Sequence, residues 1–191
     1  MRFLFPLLFG LGVGLASTAN ADATADALRR GGVAVLMRHA TAPGTFDPDN
    51  FKLDDCATQR NLSAEGREEA RRIGAHLKSL GLARSEVLTS QWCRCRDTAV
   101  LAFGTARDWP ALNSFVRARQ DEPRQVAEVL ARIARIKSGD KPLVLVTHQV
   151  MVTAITGIYP QSGEAVVVRP VRKGGQAGVS LVGSIRPEVA R

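Results

Sequence analysis

Apolar residues fall along this chain in two kinds of pattern. Unbroken runs stand at 33–37, ending in Arg38-His39, and at 143–146, ending in Thr147-His148. A short run without polar alternation predicts a strand covered on both faces, as in a parallel sheet. Elsewhere the spacing is helical. Ala70, Ile73, Leu77 and Leu80 form one stripe, opened by Ser63 as N-cap with Glu65 and Glu68 behind it and stopped by Gly81. Val126, Val129, Leu130, Ile133 and Ile136 form another, opened by Asp121-Glu122-Pro123 and ended by Gly139 and Pro142.

Shorter elements fill in between. Residues 22–30 predict a helical lead-in, 86–89 a strand, 92–103 a helix and 150–156 a helix closed by Gly157. Residues 164–168 and 179–185 predict two last strands, antiparallel to the rest, while 109–115 has no clear period. Strands and helices alternating in this order predict a three-layer α/β/α sandwich with a mostly parallel central sheet. In such sheets ligands sit beyond the carboxyl ends of the strands. Two strands thus deliver His39 and His148 to one edge. A polar loop over 41–61, with prolines and glycine, is long for a connection in a compact domain and hints at function.

The start of the chain is different. Arg2 precedes an uncharged apolar stretch from Phe3 to Ala16, followed by Ala19-Asn20-Ala21. This order reads as a secretory signal over 1–21, leaving one domain over 22–191 and a periplasmic or secreted location. The alternative, a membrane anchor, is disfavoured because the stretch falls short of the roughly 20 residues a span needs. It also contains Pro6 and three glycines, Gly10, Gly12 and Gly14. No stable membrane insertion is therefore expected after cleavage.

The chain of 191 residues carries a net charge of +8, but the cations are scattered and aromatics make up only 5%. No nucleic-acid groove is expected from that distribution, whereas scattered arginines suit small planar or tetrahedral anions. Cys56, Cys93 and Cys95 allow one disulfide in an oxidising compartment. Cys93 and Cys95 are too close to bridge within a helix, so Cys56 pairs with one or the other. A Cys-x-Cys metal site lacks the further ligands it would need.

The chemistry gathers in three places: Arg38-His39 at a strand end, Ser90 with Arg94 and Thr98 across a strand-to-helix turn, and Thr147-His148 at the second strand end. Together these resemble the histidine phosphatase superfamily, also called phosphoglycerate mutase-like. Arg38-His39-Ala40 matches its Arg-His-Gly motif in the first two places, and Ser90, Arg94 and Thr98 match its Ser-x-x-x-Arg-x-x-x-Thr segment. Leu62, Ser63 and Gly66 match its Leu-Ser/Thr-x-x-Gly helix start, and Thr147-His148 its late Ser/Thr-His strand end. The resemblance is to the small secreted bacterial branch and spans residue 33 to about residue 157.

What it implies is a phosphohistidine formed on His39, with Arg38, Arg94 and His148 lining a phosphate pocket and Arg60 adding a further contact. Neither metal nor cofactor is implied, because guanidinium groups neutralise the transferring phosphoryl group. The substrate would be a small phosphorylated compound; the oligomeric state is open. Two departures stand out. Ala40 and Gln149 replace glycines of the pattern. The segment 112–115, where the superfamily often carries a glutamate as proton donor, has no carboxylate. Asp121 and Glu122 are the nearest substitutes, or they cap the next helix; the acids Asp47, Asp49, Asp54 and Asp55 of the long loop are others. Without an acid, leaving groups needing little protonation are favoured. The alternative is a module that binds phosphate ligands with little or no turnover.

Overall fold

The structure, a computed structural model, describes residues 15–186. The apolar run after Gly32 forms β1 (Ala34–Arg38), and the matching late run forms β4 (Leu143–Thr147). Both are buried nearly throughout, as expected for strands covered on two sides. Between them lie α2 (Ala64–Ser79), β2 (Glu86–Thr89), α3 (Cys93–Phe103), β3 (Arg107–Asp108) and α4 (Glu122–Ile133). Ahead of β1 stands α1 (Leu15–Arg30), and after β4 come α5 (Gln149–Thr156), β5 (Ala165–Lys173) and β6 (Gln176–Ile185).

The six strands form one sheet in the order β3-β2-β4-β1-β5-β6. β1, β2, β3 and β4 run parallel, β5 runs antiparallel to β1, and β6 antiparallel to β5. Alternate strand residues face opposite layers. Val35, Met37, Val144 and Val146 pack with Leu28, Ile73, Leu77 and Ala99 on one side. Ala34, Leu36, Leu143 and Leu145 pack with Phe115, Val129, Ile133 and Met151 on the other. The sandwich is therefore three layers with a mixed, mostly parallel sheet.

Three local details differ from the pattern-based expectation. The lead-in helix begins at Leu15 rather than Asp22. The segment read as a leader, 1–21, lies outside the described residues up to position 14, and its last seven residues enter α1. The last two strands are longer than their apolar cores, because they pair continuously through a hairpin turned at Gly174-Gly175. β3 is only two residues, too short for any periodicity to announce it. Among the described residues no helix is long and apolar enough to cross a membrane.

Two features aim the strand ends. In the parallel register Arg38 stands opposite Thr147, and the His39 amide donates to the Thr147 carbonyl at 2.9 Å. The residues that follow each strand, His39 and His148, therefore emerge side by side. On the other flank α2 presses against the chain leaving β1. A Cβ on Gly66 would lie 2.0 Å from the Thr41 carbonyl oxygen, so this position of the helix start tolerates no side chain.

Candidate active site

At the carboxyl ends of β1, β2 and β4 lies a cleft of about 440 Å3. Arg38, His39, Arg60, Arg94 and His148 all line it, so the five residues singled out for a phosphate pocket are brought together. The two imidazole rings lie 5.6 Å apart between centroids, edge to face. Both histidines and Arg94 are at most 4% exposed.

The state of His39 follows from its partners. Its Nδ1 lies 2.8 Å from the Ala40 carbonyl oxygen, which can only accept, so Nδ1 carries the hydrogen. The lone pair is then on Nε2, and among the described residues no protein group hydrogen-bonds that atom. Burial holds the imidazole well below its ordinary pKa, and the Arg94, Arg60 and Arg38 charges push the same way against the opposing Ala40 bond. His39 is thus a neutral imidazole with a free nitrogen in a cationic pocket.

His148 has the opposite arrangement. Its Nδ1 faces an Arg94 Nη at 3.5 Å, a group that only donates, which puts the hydrogen on Nε2. Nε2 donates to Ser90 Oγ at 2.9 Å, and Ser90 donates to Asn113 Oδ1 at 3.1 Å. Asn113 is fixed in that sense because its Oδ1 also accepts from the Gln91 amide. His148 too is held well below its usual pKa, first by burial and then by Arg94.

These bonds give each residue of the Ser-x-x-x-Arg-x-x-x-Thr segment a separate task. Ser90 orients His148 and Arg94 lines the cleft. Thr98 accepts the Ala40 amide at 3.0 Å while donating to the Arg94 carbonyl, which braces the chain just behind His39. Arg38 is anchored by donation to the Pro160 carbonyl at 3.0 Å. Burial lowers the pKa of both Arg38 and Arg60, and neighbouring Arg94 lowers Arg60 further. The Nε groups of Arg38, Arg60 and Arg94 are buried without an acceptor. A buried donor left unpaired costs about 1–3 kcal/mol, so the cluster is held at an energetic cost.

Asp121 and Glu122 are elsewhere. They pair with Arg124 at 3.1 Å and Arg119 at 3.5 Å where α4 begins, and neither lines the cleft. The structure thus places them in surface ion pairs at a helix start, the alternative that their position before Pro123 already offered, and not in the cleft. The carboxylate that does line the cleft is Asp47. It receives both Nη groups of Arg94 (2.7 and 3.2 Å), the Arg60 amide (3.0 Å) and the Trp92 indole N–H (3.1 Å). Despite partial burial, these donors hold its carboxyl below the usual carboxylate range. Nothing in the pattern of the 41–61 loop distinguishes Asp47 from Asp49, Asp54 or Asp55.

The loop is fastened as well as lined. Cys56 bridges to Cys93 at the first turn of α3, and Gln59 Oε1 accepts the Cys93 amide at 3.0 Å. Cys95 remains a buried thiol 3.6 Å from His148 Nε2, its pKa pushed up to about 12 by burial. Phe51 stacks on Trp92 at 5.1 Å between centroids, and Trp92 meets His148 edge-on. Among the described residues no three His, Cys, Asp or Glu side chains are grouped to hold a metal ion.

No protein-family model and no curated protein matches the chain. Solved structures do. The protein histidine phosphatase SixA complexed with tungstate superposes with a TM-score of 0.55 at 18% identity, covering 81% of this chain and 97% of that one. A mycobacterial glucosyl-3-phosphoglycerate phosphatase in complex with VO3 gives 0.54 at 16% identity, covering 79% and 97%. A mutant phosphoserine phosphatase from Entamoeba histolytica with phosphoserine gives 0.53 at 11% identity, covering 78% and 95%. The chain has the phosphoglycerate mutase-like fold of these histidine phosphatase superfamily structures.

Proposed function

We propose that this protein is a phosphatase that works through a phosphohistidine on His39, without metal or cofactor, on a small phosphomonoester or phosphoramidate. One observation carries the reading: a neutral imidazole with its Nε2 lone pair unengaged shares a cleft with Arg38, Arg60, Arg94 and a second imidazole. That is the arrangement needed for in-line attack on phosphorus. Nε2 forms the bond to phosphorus while the bond to the leaving group breaks. The guanidinium groups take up charge on the equatorial oxygens, and His148, neutral and bonded to Ser90, supports Arg94 through its Nδ1. Water then attacks the phosphohistidine and releases inorganic phosphate.

The rest of the cleft bears on the substrate. Its volume exceeds what a phosphoryl group fills, and its walls include Phe46, Phe51, Trp92 and Tyr159. The other aromatic side chains of the described part, Phe103, Trp109 and Phe115, lie elsewhere. Phe46 and Tyr159 are 68% and 72% exposed at the rim, with ring surface available to a ligand in the cleft. These walls favour a leaving group with a flat or apolar ring face, which an envelope sugar or the imidazole of a phosphoramidate would present. The leader-like segment at 1–21 supports a periplasmic or secreted site of action and thereby an envelope sugar phosphate. Among the described residues no carboxylate lines the cleft besides Asp47, whose carboxyl is held below the usual range in the resting protein, so leaving groups that depart with little protonation are favoured.

The test is hydrolysis of p-nitrophenyl phosphate by the purified protein. Turnover that persists in EDTA, is inhibited by vanadate and disappears in His39→Ala is the expected result. Tight phosphate binding with no turnover would make the protein a binding module instead, and loss of activity on chelation would point to a metal-dependent hydrolase.

A further inference from the structure

Asp47 sits where an anion belongs. Its carboxylate is the only one among the residues lining the cleft, and it takes four donors from three residues at 2.7 to 3.2 Å. Arg94 has no terminal donor to spare beside it. Nη1 serves Asp47 and the Arg60 carbonyl, and Nη2 serves Asp47 and, at 3.5 Å, His148. Any phosphoryl group that uses the Arg94 fork must therefore take it from Asp47. Arg94 is nearly buried on a helix whose first turn is tied by the Cys56–Cys93 bridge. Asp47 lies nine residues before Cys56, inside a stretch bounded by Pro43, Gly44 and Pro48. Arg117 holds the Asp47 and Pro48 carbonyls at 2.6 and 3.3 Å, so the part that has to yield is the Asp47 side chain rather than the buried arginine.

We propose that Asp47 occupies the phosphoryl seat in the resting protein and is displaced by the substrate, so that it selects dianionic phosphoryl groups over single carboxylates and other monoanions. The inference rests on the reading of this cleft as a phosphate site. A carboxylate on the same chain competes at high effective concentration, so a free monoanion offering Arg94 the same two oxygens gains nothing. A phosphomonoester dianion brings a second charge and a third oxygen. It can engage Arg38, Arg60 and Arg94 together, which Asp47 cannot. The resting pair also keeps three clustered guanidinium groups from facing one another uncompensated.

Calorimetric titration of inorganic phosphate into wild type, Asp47→Asn and Asp47→Ala tests this directly. The asparagine variant keeps an acceptor for the Arg60 amide and so guards against a collapsed loop, with thermal melts as the check on folding. Both variants are expected to bind phosphate about tenfold more tightly, since a competing charge and its occupancy are removed together. Dimethyl phosphate, a monoanion, is expected to gain binding in the variants while showing none to wild type. A crystal structure of wild type with vanadate is expected to show Asp47 beyond hydrogen-bonding distance of Arg94. Unchanged or weaker phosphate binding in both folded variants, or vanadate bound with Asp47 still on Arg94, overturns the proposal. Phosphate binding to none of the three proteins would overturn the phosphate-site reading as well.

Discussion

The cleft has two halves that are built differently. One comes from strand ends: Arg38 at the end of β1 and His39 after it, His148 after β4, and Ser90 after β2, all held by a buried parallel ladder whose register sets them side by side. The other comes from the 41–61 loop, which contributes Phe46, Asp47, Phe51 and Arg60. That half has no ladder. It is fastened by one disulfide, by the Asp47–Arg94 pair and by side-chain bonds such as Gln59 to the Cys93 amide. The contrast separates chemistry from selection. On the proposed reading, Arg38 and His39 meet the phosphoryl group from a rigid element, while the rings and the carboxylate that admit the substrate stand on the loop, which also lends Arg60.

The comparison can be broken most severely at Arg94, where the halves meet. Arg94→Ala is expected to lower kcat/KM on p-nitrophenyl phosphate by about 10²–10³-fold, the usual loss for one preorganised charge donor. Arg94→Lys should recover little of it, because an ammonium lacks the planar fork. A variant within threefold of wild type would remove Arg94 from the charge-stabilising role.

Next comes the fastening of the loop. Replacing Cys56 and Cys93 together by serine is expected to cost about 2–4 kcal/mol of stability in thermal or urea unfolding. On the account of two halves, KM should rise more than kcat falls, since the strand-borne groups stay in place. An equal fall in kcat with KM unchanged would mean that the loop is part of the chemical half.

Acid should then distinguish the buried imidazoles from the loop. His39 and His148 are neutral in the folded protein, their pKa values held well below 6.5, but they protonate freely on unfolding. The unfolded chain thus takes up more protons below about pH 6.5. Stability present above that pH is expected to decline on acidification by up to about 1.4 kcal/mol per pH unit for each histidine. The depressed Asp47 carboxyl adds a further loss only below about pH 4. Denaturant midpoints from pH 8 to 5 read the slope, and His148→Gln should flatten it. A flat profile in the wild type would mean that the histidines are not buried as neutral groups.

The smallest effect is expected at the rim. Phe46→Ala and Tyr159→Ala should each weaken inhibition by benzylphosphonate by up to about tenfold, within the range of an aromatic contact, while inhibition by methylphosphonate stays the same. Equal effects on both would deny these rings a role in holding the leaving group.

The same division decides what is legible in the sequence. Strand-end residues announce themselves, because an apolar run is a strand and its next residue is at the edge. Arg38, His39, Thr147 and His148 converge for that reason alone. The Cys56 bridge is legible only to a choice of two partners. Cys93 and Cys95 sit two apart on the start of α3, one toward the loop and the other beneath His148, and no period separates those directions in advance. Asp47 is lost among four loop acids because a loop has no repeat to rank them. Asp121 and Glu122 stand near the site in sequence yet belong to a surface helix start, where Pro123 and the dipole already account for them.

The most direct test of the account is to quench turnover of a phosphorylated compound within milliseconds under alkaline conditions, which preserve phosphohistidine, and to map the label by mass spectrometry. The account predicts a phosphoryl group on His39, absent in His39→Ala and accumulating when the leaving group is p-nitrophenol. A label on His148 or on a carboxylate, or turnover with no labelled residue, would contradict it.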